Sequence, residues 1–193
     1  MSVPVLKVLV LTELRLRLRR LSTLVALAAF VVVTWALIPD PRTGMTLMSV
    51  NSARVFYTST ALAFGSATLS SILMGLGSFY LLRGRVSEDL RSGIGSVIAA
   101  TAVSNTQFLA ARWLGGVLYM LAIVAALMFT TMVLHSLRGE GPIQPWVYLQ
   151  TYGILLVPMV FFGVSAALLF DSVPFLMGKA GDVLYFFIWM LQL

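Results

Sequence analysis

The sequence predicts an all-α, polytopic membrane protein, a helical bundle formed by one transmembrane domain over residues 1–193. In this chain 60% of the residues are hydrophobic and the mean hydropathy is +0.97, whereas a soluble domain is about half apolar. Each complete span needs roughly 20 apolar residues to cross a hydrocarbon core. Four segments without Asp, Glu, Lys, Arg or His meet or nearly meet that length and predict four spans: 21–38, 55–82, 113–134 and 147–170.

The segment before the first span, residues 1–20, mixes leucine with arginine and predicts an amphipathic helix. Glu13 can form an ion pair with Arg17 one turn further on. We expect this helix to lie along the cytoplasmic membrane surface, with its arginines near anionic lipid headgroups. A charged anchor that only sets topology is the alternative. Four leucines share one predicted face: Leu11, Leu14, Leu18 and Leu21.

The basic residues predict the orientation of the spans. Ten of the 13 Lys and Arg residues fall in segments 1–20, 83–112 and 171–182, which alternate onto one side of the membrane. The positive-inside rule therefore predicts an inner (plasma) membrane protein with a cytoplasmic N-terminus. The same distribution accounts for the net charge of +6, because the basic residues lie beside the spans. Nucleic acid is therefore not predicted as a partner.

The last segment, residues 183–193, is apolar but short. Eleven residues form about 16 Å of helix, which is half of a bilayer. The segment predicts the start of a fifth span, and we expect the chain to be a fragment of a longer one. A re-entrant segment, or a span completed by a neighbouring chain, is the alternative.

The connection at residues 83–112 predicts a short cytoplasmic helix. Ser87 is a good N-cap residue, and Glu88 and Asp89 then place negative charge in the first turn, where it suits the helix dipole. The spacing of the next apolar residues predicts a single apolar face. That face is formed by Leu90, Ile94, Val97 and Ile98.

A second helix is predicted to follow directly. Ser104 and Gln107 have the spacing of a capping box, in which each side chain accepts a hydrogen bond from the backbone of the other residue. No helix-breaking residue follows before the third span, so the helix is expected to run unbroken into residues 113–134. A short amphipathic helix joined in this way to a transmembrane helix can transmit force.

Several functional classes lack the residues that they require. The chain has no Cys, which excludes thiolate metal sites. It has one His, His135, and this residue alone does not support a catalytic triad. A proton-coupled antiporter normally carries an ionisable residue inside the bilayer, and the four spans carry none. No G-x-x-x-x-G-K-[ST] phosphate loop is present, so any ATP must be bound by another chain. The chain is therefore not predicted to be an enzyme, and no cofactor is expected in it.

The second span is rich in small hydroxyl residues. Such residues let helices approach closely and form hydrogen bonds between them, so helix packing is one interpretation. A polar lining of a substrate path near a dimer interface is the other. The candidate path residues are Ser59, Ser66, Ser70 and Ser78.

The run at residues 95–114, GSVIAATAVSNTQFLAARWL, resembles the cytoplasmic segment between the second and third spans of ABC transporter permeases of the type-2 exporter class. In that family a small apolar stretch leads into Thr-Pro-Val-Ser, a hydrophobic pair and a basic residue just before the third span. Here Ala102 stands in the place of the usual Pro. The resemblance extends to the N-terminal amphipathic helix and to the order of the spans.

The resemblance implies a permease subunit that dimerises with a second copy or a paralogue. It also implies a separate cytosolic ABC ATPase, which holds ATP and Mg and docks on a coupling helix at residues 88–101. A helix lying on the lipid surface is the alternative for this segment, and a non-transporting membrane anchor or regulatory subunit is the alternative for the chain. The docking residues would be Glu88, Asp89, Leu90, Arg91, Ile94, Val97 and Ile98.

Overall fold

The computed structural model of the protein describes residues 3–51, 53–93 and 103–191. The described chain is mostly α-helical, and its other regular elements are two single-turn 3-10 helices and one short hairpin. In the hairpin, β1 (Ser49–Val50) pairs antiparallel with β2 (Ala53–Arg54). The helices are α1 (Val3–Leu18), α2 (Leu21–Leu37), α3 (Ser59–Leu82), α4 (Arg85–Arg91), α5 (Asn105–Arg138), α6 (Pro145–Ser172) and α7 (Lys179–Met190).

Three helical stretches are long and apolar enough to cross a membrane: Ser59–Asp89, Asn105–Arg138 and Pro145–Ser172. The last two contain the predicted third and fourth spans, whereas the first contains only residues 59–82 of the predicted second span, because residues 55–58 are not helical. The predicted first span corresponds to α2, which has 17 residues and reaches the required length only when it is joined to Val5–Leu18. The chain therefore has the composition of a membrane protein, and a fourth complete span stays a prediction.

The start of α5 confirms the predicted capping box. The Ser104 backbone N–H donates to the Gln107 side-chain oxygen at 3.4 Å, and the Gln107 backbone N–H donates to Ser104 Oγ at 3.3 Å. From this cap the helix continues to Arg138 without a break. Residues 105–112 and the predicted third span thus form one continuous helix, as the sequence predicts.

The described residues divide into two compact units. The first unit contains residues 1–20, 74–120 and 160–193, and the second contains residues 21–73 and 121–159. Helices α3, α5 and α6 each contribute one part to each unit. The first unit holds the α3–α4 junction, and the second holds the opposite ends of the same three helices with the hairpin.

The core of the first unit is aromatic where α7 packs on α3. The rings of Phe79 and Tyr185 are stacked with their centroids 3.6 Å apart, and Phe170 meets both edge-on. The Tyr185 hydroxyl donates to the Gly75 carbonyl at 2.7 Å. Helix α7, which contains residues 183–190 of the predicted partial fifth span, is therefore anchored to α3 by a buried tyrosine.

The second unit is held together by tyrosine hydroxyl groups. The Tyr152 hydroxyl lies 2.9 Å from Ser66 Oγ on α3 and 2.8 Å from Thr131 Oγ1 on α5. Nearer the helix ends, the Tyr148 hydroxyl lies 2.8 Å from Nδ1 of His135. Hydrogen bonds of this kind join helices where no water is available to take their place.

Glu140, in the turn between α5 and α6, binds the chain that leads into α3. Its carboxylate accepts a hydrogen bond from the Tyr57 backbone N–H at 2.9 Å and forms an ion pair with Arg54. The hydrogen bond from Tyr57, followed by that from Arg54, holds the pKa of the Glu140 carboxyl below its usual range. The carboxylate of Glu140 thus binds the α5–α6 turn to the hairpin and to the residues that follow it.

Candidate functional site

A two-residue turn separates α3 from α4, and its second residue is Gly84. This residue has a φ of +84°, a conformation that glycine adopts without the steric cost a side chain would bring. A Cβ atom at Gly84 would meet nothing within 4 Å, so backbone conformation and not space requires the glycine. We call residues 83–91, which comprise this turn and α4, the elbow.

The first turn of α4 is capped by a residue from another helix. The carboxylate of Asp171, at the end of α6, accepts hydrogen bonds from the backbone N–H groups of Gly84 and Arg85 at 3.1 Å each, and from that of Val86 at 3.5 Å. Helix N-termini leave such groups without intrahelical partners, and negative charge is favourable there. Asp171 is 3% exposed. One buried carboxylate therefore binds the elbow to α6.

Ion pairs bind the elbow to α1 and α5. Arg85 Nε lies 3.7 Å from a carboxylate oxygen of Glu13, on α1, and Glu13 also pairs with Arg17 at 2.7 Å. One turn further along the same face of α4, Asp89 forms an ion pair with Arg112, on α5. The two pairs are linked through Arg85, whose Nε is 3.9 Å from Asp89.

These groups form a buried and electrically balanced set. Three carboxylates face three guanidinium groups, and in the five side chains that form the ion pairs exposure ranges from 6% to 16%. Removal of one charge from such a set leaves another buried without compensation, which costs about 3–5 kcal/mol. We call this set the charge cluster: Glu13, Arg17, Arg85, Asp89, Arg112 and Asp171.

An exposed pair adds a further link between α1 and the elbow. Glu88 accepts hydrogen bonds from Arg20 and, at 3.1 Å, from Arg85. Its side chain is 54% exposed, so this contact is screened by solvent and stabilises less than the buried pairs. Arg17 adds a hydrogen bond to the Leu82 carbonyl at the end of α3, at 3.4 Å.

Close helix packing holds Glu13 in place. A Cβ atom at Gly115, on α5, would lie 2.9 Å from both Cβ and Cγ of Glu13. Only glycine therefore lets α1 approach α5 this closely. The face of α1 that is turned into the protein carries Val10, Glu13 and Arg17, all buried, whereas Leu11 and Leu18 are exposed.

The sequence predicted part of this site. The Glu13–Arg17 pair is confirmed, and it follows from their spacing of four residues on one helix. The predicted N-cap at Ser87 is wrong, because α4 begins at Arg85 and its cap is Asp171. Arg112 is the basic residue directly before the predicted third span, and its pairing with Asp89 was not predicted. The sequence does show charged residues within two positions of the end of an apolar segment. That position does not identify the residues with which they pair.

The predicted docking residues separate into three groups. Glu88 and Arg91 are exposed on α4, whereas Asp89 is 6% exposed and turned into the charge cluster. The backbone of Leu90 lies in α4. Ile94, Val97 and Ile98, with the rest of the coupling segment after Gly93, lie outside the described residues.

The four serines of the predicted substrate path are all buried in their units. Ser59 Oγ donates to the Pro142 carbonyl and accepts from the Gln144 backbone N–H, both at 2.9 Å. Ser66 bonds Tyr152, as described above, and a Cβ at Gly163 would lie 1.7 Å from Ser78 Oγ. These contacts are those that helix packing requires, while a substrate path through Ser59, Ser66, Ser70 and Ser78 stays a prediction.

In the described ranges, no group of three or more His, Cys, Asp or Glu side chains could hold a metal ion. Comparisons of the chain with protein-family profiles, with curated proteins and with solved structures find no match. The charges and contacts of the elbow are therefore the features on which a functional proposal depends.

Proposed function

We propose that this chain is the membrane-spanning permease subunit of an ABC exporter in the inner (plasma) membrane, with its N-terminus in the cytoplasm. It moves a substrate with energy from ATP that is hydrolysed, with Mg, in a separate cytosolic ATPase. That ATPase docks on the coupling segment at residues 88–101, and the permease works as a dimer with a second copy or a paralogue. The observation that carries the proposal is the attachment of the elbow to α1, α5 and α6 through the buried charge cluster.

The attachment supports a mechanical role for α4. A helix of seven residues is too short to be stable alone, and here its first turn and one face are bonded to three longer helices. Asp171 holds its first turn, Glu13 holds Arg85, and Arg112 holds Asp89. A force applied to α4 by a docked partner is therefore passed to helices that enter the apolar region.

The charges also bear on the energy source. Proton-coupled transporters need a carboxylate that can gain and lose a proton during the cycle. Each carboxylate of the charge cluster is already bonded to arginine or to backbone N–H groups of this chain. This arrangement favours an energy source outside the membrane over ion coupling within it.

Co-purification tests the docking step. The tagged full chain, extracted from its native membrane, is expected to bring an ATPase with it, and Ile94→Asp and Val97→Asp are expected to lose that ATPase. The control is Phe175→Asp, which introduces the same charge at a residue 79% exposed in the α6–α7 turn and is expected to retain the partner. Absence of an ATPase from the unaltered chain, or equal retention in all three variants, would show that the docking proposal is wrong.

Vesicles test transport itself. The complex of permease and ATPase, reconstituted into vesicles, is expected to give ATP-dependent movement of solute or lipid across the bilayer. A complex that binds and hydrolyses ATP but moves no substrate would instead identify the chain as a non-transporting membrane anchor or regulatory subunit.

A further inference from the structure

An open groove of about 750 Å³ lies in the first unit, between the elbow and the start of α7. None of the residues that line it belongs to the charge cluster, and the two are linked where Glu88 pairs with Arg85. Three cationic and two anionic side chains line it, together with the hydroxyl groups of Ser87 and Ser92. The charged lining residues are Arg83, Arg91, Lys179, Glu88 and Asp182.

Both anionic side chains of the groove are already neutralised from within the protein. Asp182 forms an ion pair with Arg83 at 2.5 Å, and Arg83, whose side chain is 7% exposed, also donates to the Gly178 carbonyl at 3.0 Å. Glu88 pairs with Arg20 and Arg85. The groove therefore carries no acidic group that lacks a cationic partner.

The two remaining cations have no such partner. Within the described part of the chain no carboxylate lies at ion-pair distance from Arg91 or Lys179, and both side chains are exposed. Arg91 ends α4, and Lys179 begins α7 after the turn that contains Met177 and Gly178. Two helices from distant parts of the sequence thus bring two uncompensated positive charges to one concave surface.

The groove lies at the level where an apolar helix ends. Tyr80, which lines it, is half-exposed two residues before the end of α3, and tyrosine is typical of the membrane–water interface. Lys and Arg at this level attract anionic lipid. We propose that the groove binds a phosphate group, that of an anionic membrane lipid headgroup, with Arg91 and Lys179 as its cationic ligands.

The remaining lining groups suit a phosphodiester. Arginine donates two parallel hydrogen bonds to phosphate oxygens, and lysine supplies a compact charge. The Ser87 hydroxyl can donate a further hydrogen bond. A zwitterionic headgroup would add a choline or ethanolamine cation beside Arg91 and Lys179, so phosphatidylglycerol is expected to bind better than phosphatidylcholine.

Native mass spectrometry of the full chain tests the proposal. The chain, in micelles that contain phosphatidylcholine and phosphatidylglycerol, is expected to retain phosphatidylglycerol selectively. Arg91→Gln/Lys179→Gln is expected to weaken that binding about 30-fold, because each cation near a membrane surface contributes about one kcal/mol. Arg91→Lys/Lys179→Arg keeps both charges and is expected to bind like the unaltered chain.

The matched control is Arg15→Gln/Arg19→Gln, which removes two exposed cations outside the groove, one in α1 and one directly after it. Because these arginines attract anionic lipid only diffusely, this variant is expected to weaken the retention of phosphatidylglycerol far less than Arg91→Gln/Lys179→Gln does. Equal weakening by the two double variants would overturn the proposal, since the attraction would then be diffuse. Unchanged binding in Arg91→Gln/Lys179→Gln would overturn it as well.

Calorimetry with inorganic phosphate distinguishes the two sources of the ligand. In micelles of phosphatidylcholine alone, inorganic phosphate is expected to bind far more weakly than phosphatidylglycerol, because it lacks the acyl chains that hold a headgroup at the interface. Binding of inorganic phosphate by a chain that retains no phosphatidylglycerol would overturn the assignment to lipid.

Discussion

Removal of the Asp171 carboxylate is expected to release the elbow from α6. In Asp171→Ala the backbone N–H groups of Gly84 and Arg85 lose acceptors at 3.1 Å, and that of Val86 loses one at 3.5 Å. Loss of a capping side chain costs about 0.5–2 kcal/mol, and each hydrogen bond to a charged group contributes about 1.5–3 kcal/mol. Because the third bond is long, we expect the free energy of local opening of the elbow to decrease by about 2–4 kcal/mol.

Amide hydrogen exchange measures this loss where it occurs. A decrease of 2 kcal/mol in the free energy of local opening speeds exchange about 30-fold. The amides of residues 84–88 are therefore expected to exchange at least that much faster in Asp171→Ala. Asp171→Asn keeps one acceptor oxygen and loses the charge, so it is expected to fall between Asp171→Ala and the unaltered chain.

The control for this experiment is Ser172→Ala. Ser172 is exposed, and its hydroxyl donates only to the Leu168 carbonyl of its own helix, at 2.7 Å. Exchange at residues 84–88 is expected to stay unchanged in this variant. If Asp171→Ala and Ser172→Ala gave the same exchange rates there, Asp171 would not hold the elbow, and the proposed path from α4 to α6 would be refuted.

Three further predictions concern other contacts. Arg112→Gln leaves Asp89 buried without its partner and is expected to destabilise the protein by about 3–5 kcal/mol; thermal unfolding in detergent measures this, and adding Asp89→Asn should recover more than half. Gly163→Ala is expected to cost about 1–3 kcal/mol, since its Cβ would lie 1.7 Å from a serine hydroxyl of α3. Gly153→Ala, on the same helix but with nothing within 4 Å, should not be destabilising, and equal losses in both would contradict the packing. The pKa of Glu140 is lowered in the folded state, so its contribution to stability is present above its unfolded pKa and is lost as the pH falls through the folded value. Glu140→Gln is therefore expected to flatten the decline of the unfolding temperature at acid pH, and a decline as steep as in the unaltered chain would disprove this.

The sequence was sufficient for features that depend on neighbouring residues. Charge-free apolar segments predicted the three long helices, because the absence of charge is visible without knowledge of the fold. The Ser104–Gln107 box and the Glu13–Arg17 pair were also predictable, since their partners lie three and four residues apart. Each of these features is set within one helix.

The charge cluster depends on contacts that the sequence does not encode locally. Asp171 lies 86 residues after the Arg85 backbone N–H that it caps, and Arg112 lies 23 residues after Asp89. Ser87 was a reasonable N-cap by residue type, but a carboxylate from another helix reaches the chain two residues earlier. Local preference predicted a cap near this position, and packing decided which residue supplies it.

The turn at Gly84 gives α4 an unusual set of attachments. Its covalent neighbour in the chain is α3, yet the side chains that bind it come from α1, α5 and α6. A displacement of α4 is therefore expected to move three helices that are remote from it in sequence, through the side chains that bind them together.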